Sequence, residues 1–185
     1  MGEGLVGRRP CPPGSRRGGT RGGSFGRRSV SDAGDRSSDN FDGVGIVVVT
    51  HGRFGAELVA ATEHAVGSMP AVRVLEVGPT DDIEERRRAI RQAGDAVNSG
   101  RGVIYIVDVF GSTPANLTRS VVQDTKPEGQ AMMLANPNLA VMYKLAEARA
   151  RDMPLADLLH TVRSAGRKNM LELGEALRGG RDTSE

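Results

Sequence analysis

Four short aliphatic runs, each followed by apolar residues at helical spacing, leave this chain few folds to choose from. Gly45-Ile46-Val47-Val48-Val49, Ala71 to Val77, Val103 to Val107 and Gln130 to Ala135 read as strands. The first is a continuous β-branched run, as in a strand buried on both faces. The second alternates apolar with polar residues, reads as a more exposed strand, and stops at Gly78-Pro79. After the first strand, Phe54, Leu58, Ala61 and Ala65 fall on one helical side, with Val59, Thr62 and Val66 beside them. Thr80 or Asp81 caps the next helix, whose apolar side uses Ile83, Ile90, Ala93 and Val97. Thr113 reads as the hydroxyl N-cap of a third helix, with Pro114 in its first helical position and Leu117, Val121 and Val122 further on. Asn136-Pro137 closes the fourth strand, a helix with Leu139, Met142, Tyr143 and Leu145 follows, and a long amphipathic stripe runs from Pro154 to about Leu177. Strand and helix in alternation predict an α/β fold: a doubly wound, mainly parallel four-stranded sheet of order 2-1-3-4 with helices on both faces.

The 185 residues exceed what this pattern needs, and composition places the surplus at the N-terminus. Residues 1–40 hold 10 of the 25 Gly, 3 of the 9 Pro and eight Arg against four acidic residues, a composition that cannot supply a core. The expected organisation is a disordered Gly/Arg-rich extension over 1–42, one domain over 43–178 and a flexible C-terminus over 179–185. Within the extension, Arg16-Arg17-Gly18-Gly19 and Arg21-Gly22-Gly23 have the composition of loose RNA contacts or of part of a transit peptide; an inert extension is the plainer reading. Residues 41–185 keep 17 basic and 19 acidic side chains, so the folded part lacks the basic footprint of a nucleic-acid binder. No apolar run approaches the roughly 20 residues of a membrane span. The lone Cys11 rules out an intrachain disulfide and a thiol metal cluster. A cytoplasmic compartment is the natural expectation.

In a sheet of order 2-1-3-4, strands one and three are neighbours, and ligands bind at the crest beyond their carboxyl ends. His51 follows the first strand by two residues and Asp108 follows the third directly. Adjacent strands lie roughly 4.8 Å apart, so the two side chains can meet. A carboxylate on one ring nitrogen fixes the imidazole tautomer and frees the other nitrogen as a nucleophile. Two helices open nearby, just after His51 and at Thr113, and their N-termini offer N–H groups to an anion. This grouping points to phosphoryl transfer through a phosphohistidine, with no metal and no cofactor. Arg53 reads as a solvated side chain, with charge neutralisation of a phosphate as the alternative; His64 and His160, lacking a partner motif, read as structural.

The segments Gly45-Ile46-Val47-Val48-Val49-Thr50-His51-Gly52 and Val107-Asp108-Val109-Phe110-Gly111-Ser112-Thr113-Pro114-Ala115-Asn116 resemble the enzyme IIA domain of the mannose (fructose/mannose/sorbose) class of the bacterial phosphoenolpyruvate-dependent sugar phosphotransferase system (PTS). The resemblance covers about residues 43–178. It implies that His51 accepts a phosphoryl group from the phosphocarrier protein HPr and hands it to an enzyme IIB, and that Asp108 orients the histidine. It also implies that Thr113 helps hold the phosphoryl group. Ser112 stands where the commonest form of the motif has its second glycine, and it joins Thr113 as a candidate phosphate-binding residue. A homodimer is implied too, with membrane contact only through the permease complex.

Three other functions fit parts of the pattern. A response-regulator receiver shares the architecture but needs acidic residues after the first strand to hold Mg²⁺, where this chain has Thr50-His51. The phosphotransfer subunit of dihydroxyacetone kinase has an active histidine on a similar fold, typically without the Gly-Ser/Thr-Pro-x-Asn loop. A regulatory phosphoprotein of the same sugar system, without a transport role, would carry the same residues.

Overall fold

The computed structural model describes residues 41–171. The Gly/Arg-rich extension up to residue 40, Cys11 within it, and the C-terminal stretch from 172 lie outside the described residues. Among the described residues, β1 (Gly45–His51), β2 (Val72–Val77), β3 (Val103–Val107) and β4 (Ala131–Ala135) form one parallel sheet in the order β2-β1-β3-β4. Between and after them run α1 (Phe54–Val66), α2 (Ile83–Val97), α3 (Thr113–Asp124), α4 (Leu139–Ala148) and α5 (Leu155–Lys168). The expected order and strand direction are both present.

The β1 run is continuously apolar because each alternate residue feeds a different core. Ile46 and Val48 pack with Leu58 of α1, Met142 and Leu145 of α4, and Leu158 and Val162 of α5. Val47 and Val49 face the other way, against Ile90 and Val97 of α2 and Ala115 and Val121 of α3. Both layers are mainly aliphatic, with Tyr105 in the second, and both exclude water from the central strands, which explains why neither β1 nor β3 alternates with charged residues.

Several helices bury a slightly different stripe from the one spacing predicts. In α1 the inward residues are Gly55, Leu58, Val59 and Thr62, while Phe54 and Val66 are about half exposed and Ala61 and Ala65 face solvent. Ile83, at the first position of α2, is 60% exposed. The cap of α2 is Asp82, whose carboxylate accepts from the Glu85 amide at 2.7 Å, one residue beyond the predicted choice. Asp81 is taken by Gly78 N at 2.8 Å and Arg86 Nε at 2.6 Å, contacts that hold its carboxyl below the ordinary carboxylate range, led by the Arg86 hydrogen bond. The last helix also stops earlier than the apolar stripe. Asn169 turns out of the helix and its Nδ2 donates to the Ala165 carbonyl, satisfying an end carbonyl that a continuing helix would have used. Met170 and Leu171 then stand in solvent, and Leu173 and Leu177 lie outside the described residues.

Close helix-to-sheet approach is set by Gly94 on α2, which faces the phenol of buried Tyr105 on β3. Burial pushes the Tyr105 hydroxyl up to about 12, with the Asp95 charge adding to the shift, so the ring stays neutral in its slot. A Cβ at position 94 would overlap Tyr105 Oη and lie 3.0 Å from Cζ. Gly94→Ala is therefore expected to destabilise the fold by about 1–3 kcal/mol through overpacking, despite its better helix propensity. In urea unfolding, Tyr105→Phe in the Gly94→Ala background should recover part of that loss.

Candidate functional site

The crest of the sheet is built by two abrupt strand-to-helix turns. β1 delivers His51, and Gly52, with φ of 46°, takes the left-handed conformation that turns the chain into α1 two residues later. Arg53 occupies the N-cap of α1 without a capping side chain. The first turn is held instead by Thr50, fully buried at the end of β1, whose Oγ1 accepts from Gly55 N at 2.8 Å. Next door, β3 ends at Val107 and Asp108 begins the second turn. The amide of Asn136, itself at φ of 57°, donates to the Asp108 carbonyl at 3.0 Å and pins that turn to the end of β4.

Asp108 and His51 meet as the topology predicts. Asp108 Oδ2 lies 2.8 Å from His51 Nδ1 and accepts from the His51 amide at 2.7 Å, so one oxygen holds both the ring and the backbone of the same residue. Oδ1 accepts from Val109 N at 2.7 Å and from Ser112 Oγ at 3.2 Å. Burial alone would raise the Asp108 pKa, but the amides of His51 and Val109, with the imidazole, outweigh it and hold the carboxyl below its ordinary value. The side chain of Asp108 is 11% exposed and that of His51 57% exposed. An ionised carboxylate on Nδ1 favours the Nδ1–H tautomer, which leaves a lone pair on Nε2, and no described residue hydrogen-bonds that atom.

Ser112, rather than Thr113, is the N-cap of α3: its Oγ accepts from Ala115 N at 3.3 Å. The helix starts one residue earlier than expected because Ser112, at φ −69° and ψ 168°, has the extended backbone of a cap and Thr113 is already helical. Thr113 is the first helical residue, exposed, with its hydroxyl uncommitted to any described residue, and Pro114 follows it in the first turn. Asn116 Nδ2 donates to the Gly111 carbonyl at 3.1 Å and braces the loop that carries both residues. Arg53 forms an exposed pair with Glu57, Nε at 3.2 Å and a terminal nitrogen at 2.7 Å from Oε1. His64 and His160 are exposed on α1 and α5, away from any described hydrogen-bond partner.

Thus His51, Asp108 and Ser112 form one connected set, and Thr113 opens the helix beside it. The sequence reading gives Thr50 and Asn136 no part in building the site. The available signal for Thr50 was a hydroxyl five residues ahead of a first-turn glycine; for Asn136 it was an Asn-Pro pair closing a strand. On the two turns that carry His51 and Asp108, Phe54, Val109 and Phe110 are 47%, 55% and 71% exposed. Two surface cavities, of about 390 and 310 Å³, include neither His51 nor Asp108 in their linings.

The sequence model of the family described as "PTS system fructose IIA component" matches residues 45–163, from the start of β1 into α5 and across the whole site. The chain belongs to this family. The mannose-specific EIIAB component of Escherichia coli K12 is 22% identical over 130 residues, covering 70% of this chain. The alignment spans 39% of that curated relative's own length. The PTS IIA protein associated with the fucose utilization operon of Streptococcus pneumoniae superposes with a TM-score of 0.61 at 20% identity, covering 73% of this chain and 96% of the other. Component EIIA from Streptococcus agalactiae gives 0.64 at 18% identity, covering 71% and 98%. These superpositions establish a shared fold for this enzyme IIA. Enzyme IIA components are phosphotransferases that carry a phosphoryl group on a histidine. Among the described residues of this enzyme IIA, no helix is long and apolar enough to cross a membrane.

Proposed function

We propose that this chain is the carrier that takes a phosphoryl group from HPr onto His51 Nε2 and passes it to an enzyme IIB. The supporting observation is the 2.8 Å contact of Nδ1 with Asp108, which leaves Nε2 as the unencumbered nucleophile of an exposed ring. In the forward step the Nε2 lone pair forms a bond to phosphorus while the P–N bond of the donor phosphohistidine breaks. The donor ring keeps that electron pair. Nδ1 retains its proton throughout, so the His51 ring becomes cationic as it is phosphorylated, and Asp108 balances the charge. The Thr113 hydroxyl and its backbone amide, at the start of α3, receive the phosphoryl oxygens. Transfer to enzyme IIB reverses these bond changes.

The exposed apolar side chains of Phe54, Val109 and Phe110 support proteins as donor and acceptor, since a small substrate would call for an enclosing pocket. The chain works in the cytoplasm on this reading and reaches a membrane only through a permease complex. Incubation with phosphoenolpyruvate, enzyme I and HPr is expected to load one acid-labile, alkali-stable phosphoryl group. Failure to load it would remove the proposal.

We also propose a homodimer, supported by the exposed Met170 and Leu171 at the end of α5, 78% and 67% accessible. Sedimentation at tens of micromolar is expected to show a dimer, and a monomer there would refute it. The domain is proposed to occupy residues 43–178. Deleting residues 1–40 should leave melting temperature and phosphoryl acceptance unchanged, because that segment lacks the apolar content to join a core.

A further inference from the structure

Ser112 sits where the carboxylate and the anion-accepting helix meet. Its Oγ donates to Asp108 Oδ1 at 3.2 Å and accepts from Ala115 N at 3.3 Å, while its amide donates to the Val109 carbonyl at 3.2 Å. A serine hydroxyl has one proton. With that proton on Asp108, none is left to donate to a phosphoryl oxygen, and phosphate contact falls to Thr113 and the backbone. The four hydrogen bonds to Asp108 divide evenly: Oδ2 takes both groups of His51, and Oδ1 takes Val109 N and Ser112 Oγ. Val109 is the next residue in the chain, so its amide moves with the Asp108 backbone. Among the described residues, Ser112 is the side chain that ties Oδ1 to a separate element.

We infer that Ser112 is a positioning residue: by holding Asp108 Oδ1 against the start of α3, it fixes the carboxylate plane, and with it the tautomer and aim of the His51 ring, relative to the helix end that accepts the phosphoryl group. The inference rests on His51 as the acceptor. Two physical effects follow from the geometry. A carboxylate restrained at both oxygens cannot rotate away from Nδ1, which is the usual work of a group behind a functional side chain. A donor on Oδ1 also favours the charged form of the carboxylate; against burial, which raises the pKa, it adds to the amides of His51 and Val109 and the imidazole that hold Asp108 below its ordinary value.

The test separates the hydroxyl from the cap. Ser112→Gly removes the donor but caps a helix nearly as well as serine, and Ser112→Thr keeps both donor and cap. The first readout is the His51 ring tautomer by ¹⁵N NMR on unphosphorylated protein; the second is the pH profile of phosphoryl acceptance from HPr. Ser112→Gly is expected to melt like the wild type, to populate the Nε2–H tautomer visibly, and to accept phosphate about 10-fold more slowly, the lower end for loss of an orienting partner. The acid limb of its pH profile should move upward, and Ser112→Thr should restore both readouts. A wild-type tautomer and profile in Ser112→Gly would overturn the inference. So would a slower rate with the tautomer unchanged, which is the signature of a hydroxyl that touches phosphate. If Ser112→Gly does not fold, Ser112→Ala is judged by the same two readouts. If HPr does not phosphorylate wild-type protein, the acceptor reading fails, while the tautomer measurement still decides the role of Ser112.

Discussion

His51→Ala is expected to abolish phosphoryl acceptance, whereas His64→Ala and His160→Ala are expected to accept the label at the wild-type rate. The expectation is all-or-none because acceptance needs a lone pair on a positioned nitrogen, and alanine supplies nothing in its place. The chain has three histidines in all, so the three variants cover every imidazole. His64 and His160 stand on exposed helix faces without a carboxylate partner, while the His51 ring and amide are both held by Asp108. The measurement is transfer of radiolabelled phosphate from phosphoenolpyruvate through enzyme I and HPr, with acid and alkali stability of the product recorded. Label that survives His51→Ala would overturn the mechanism at its root. Loss of label in His64→Ala with an intact fold would move the acceptor onto α1. His51 is more than half exposed, so its removal leaves the core unchanged, and unfolding should not complicate the result.

Much of this arrangement was legible in the sequence because the central strands feed two cores at once. Ile46 and Val48 on one face, with Val47 and Val49 on the other, demand helices on both sides, and that demand fixes the layer order. The crest followed from topology: once β1 and β3 are neighbours, the residues leaving their carboxyl ends have to meet. Finer placement was not legible. Spacing alone put Ala61 and Ala65 of α1 inward, but alanine suits either environment, and the helix turned to bury Gly55 and Thr62 beside Leu58 and Val59. Either Ser112 or Thr113 has the hydroxyl an N-cap needs, and only backbone conformation assigns the role to Ser112. The capping of Gly55 by Thr50 was hidden because a threonine at a strand end is unremarkable for β propensity. The length of α5 was overestimated for a related reason: an apolar stripe continues through Met170 without regard to where the last turn closes.

Asp108→Asn is expected to keep the fold and to slow phosphoryl acceptance by about 10²-fold, the low end for loss of an orienting or general-base group. The argument starts from what faces each oxygen. Both Asp108 oxygens receive hydrogen-bond donors, two apiece. An asparagine has one oxygen and one NH₂, so either orientation sets its NH₂ against former donors. If the NH₂ faces His51, the ring can answer only by turning Nδ1 into an acceptor, which moves its proton to Nε2 and removes the nucleophilic lone pair. If the NH₂ faces Val109 and Ser112, the amide oxygen still holds Nδ1–H but carries no charge to stabilise the ring once it is phosphorylated. Both outcomes slow the reaction, and the ring tautomer read by ¹⁵N NMR tells them apart. The rate loss stays at the low end because the donor phosphohistidine is already reactive and because a carboxylate also repels the incoming phosphoryl group. The change has a stability signature as well. The Asp108 pKa is lower in the folded chain than the unfolded value of about 3.9. The stability it contributes is therefore complete above that value and is lost as pH falls through the folded one. Asp108→Asn should lower stability at pH 7 and flatten the acid limb of the stability profile below about pH 4, the unfolded carboxylate range. A wild-type acceptance rate in a folded Asp108→Asn protein would remove the orienting role and leave His51 to act alone.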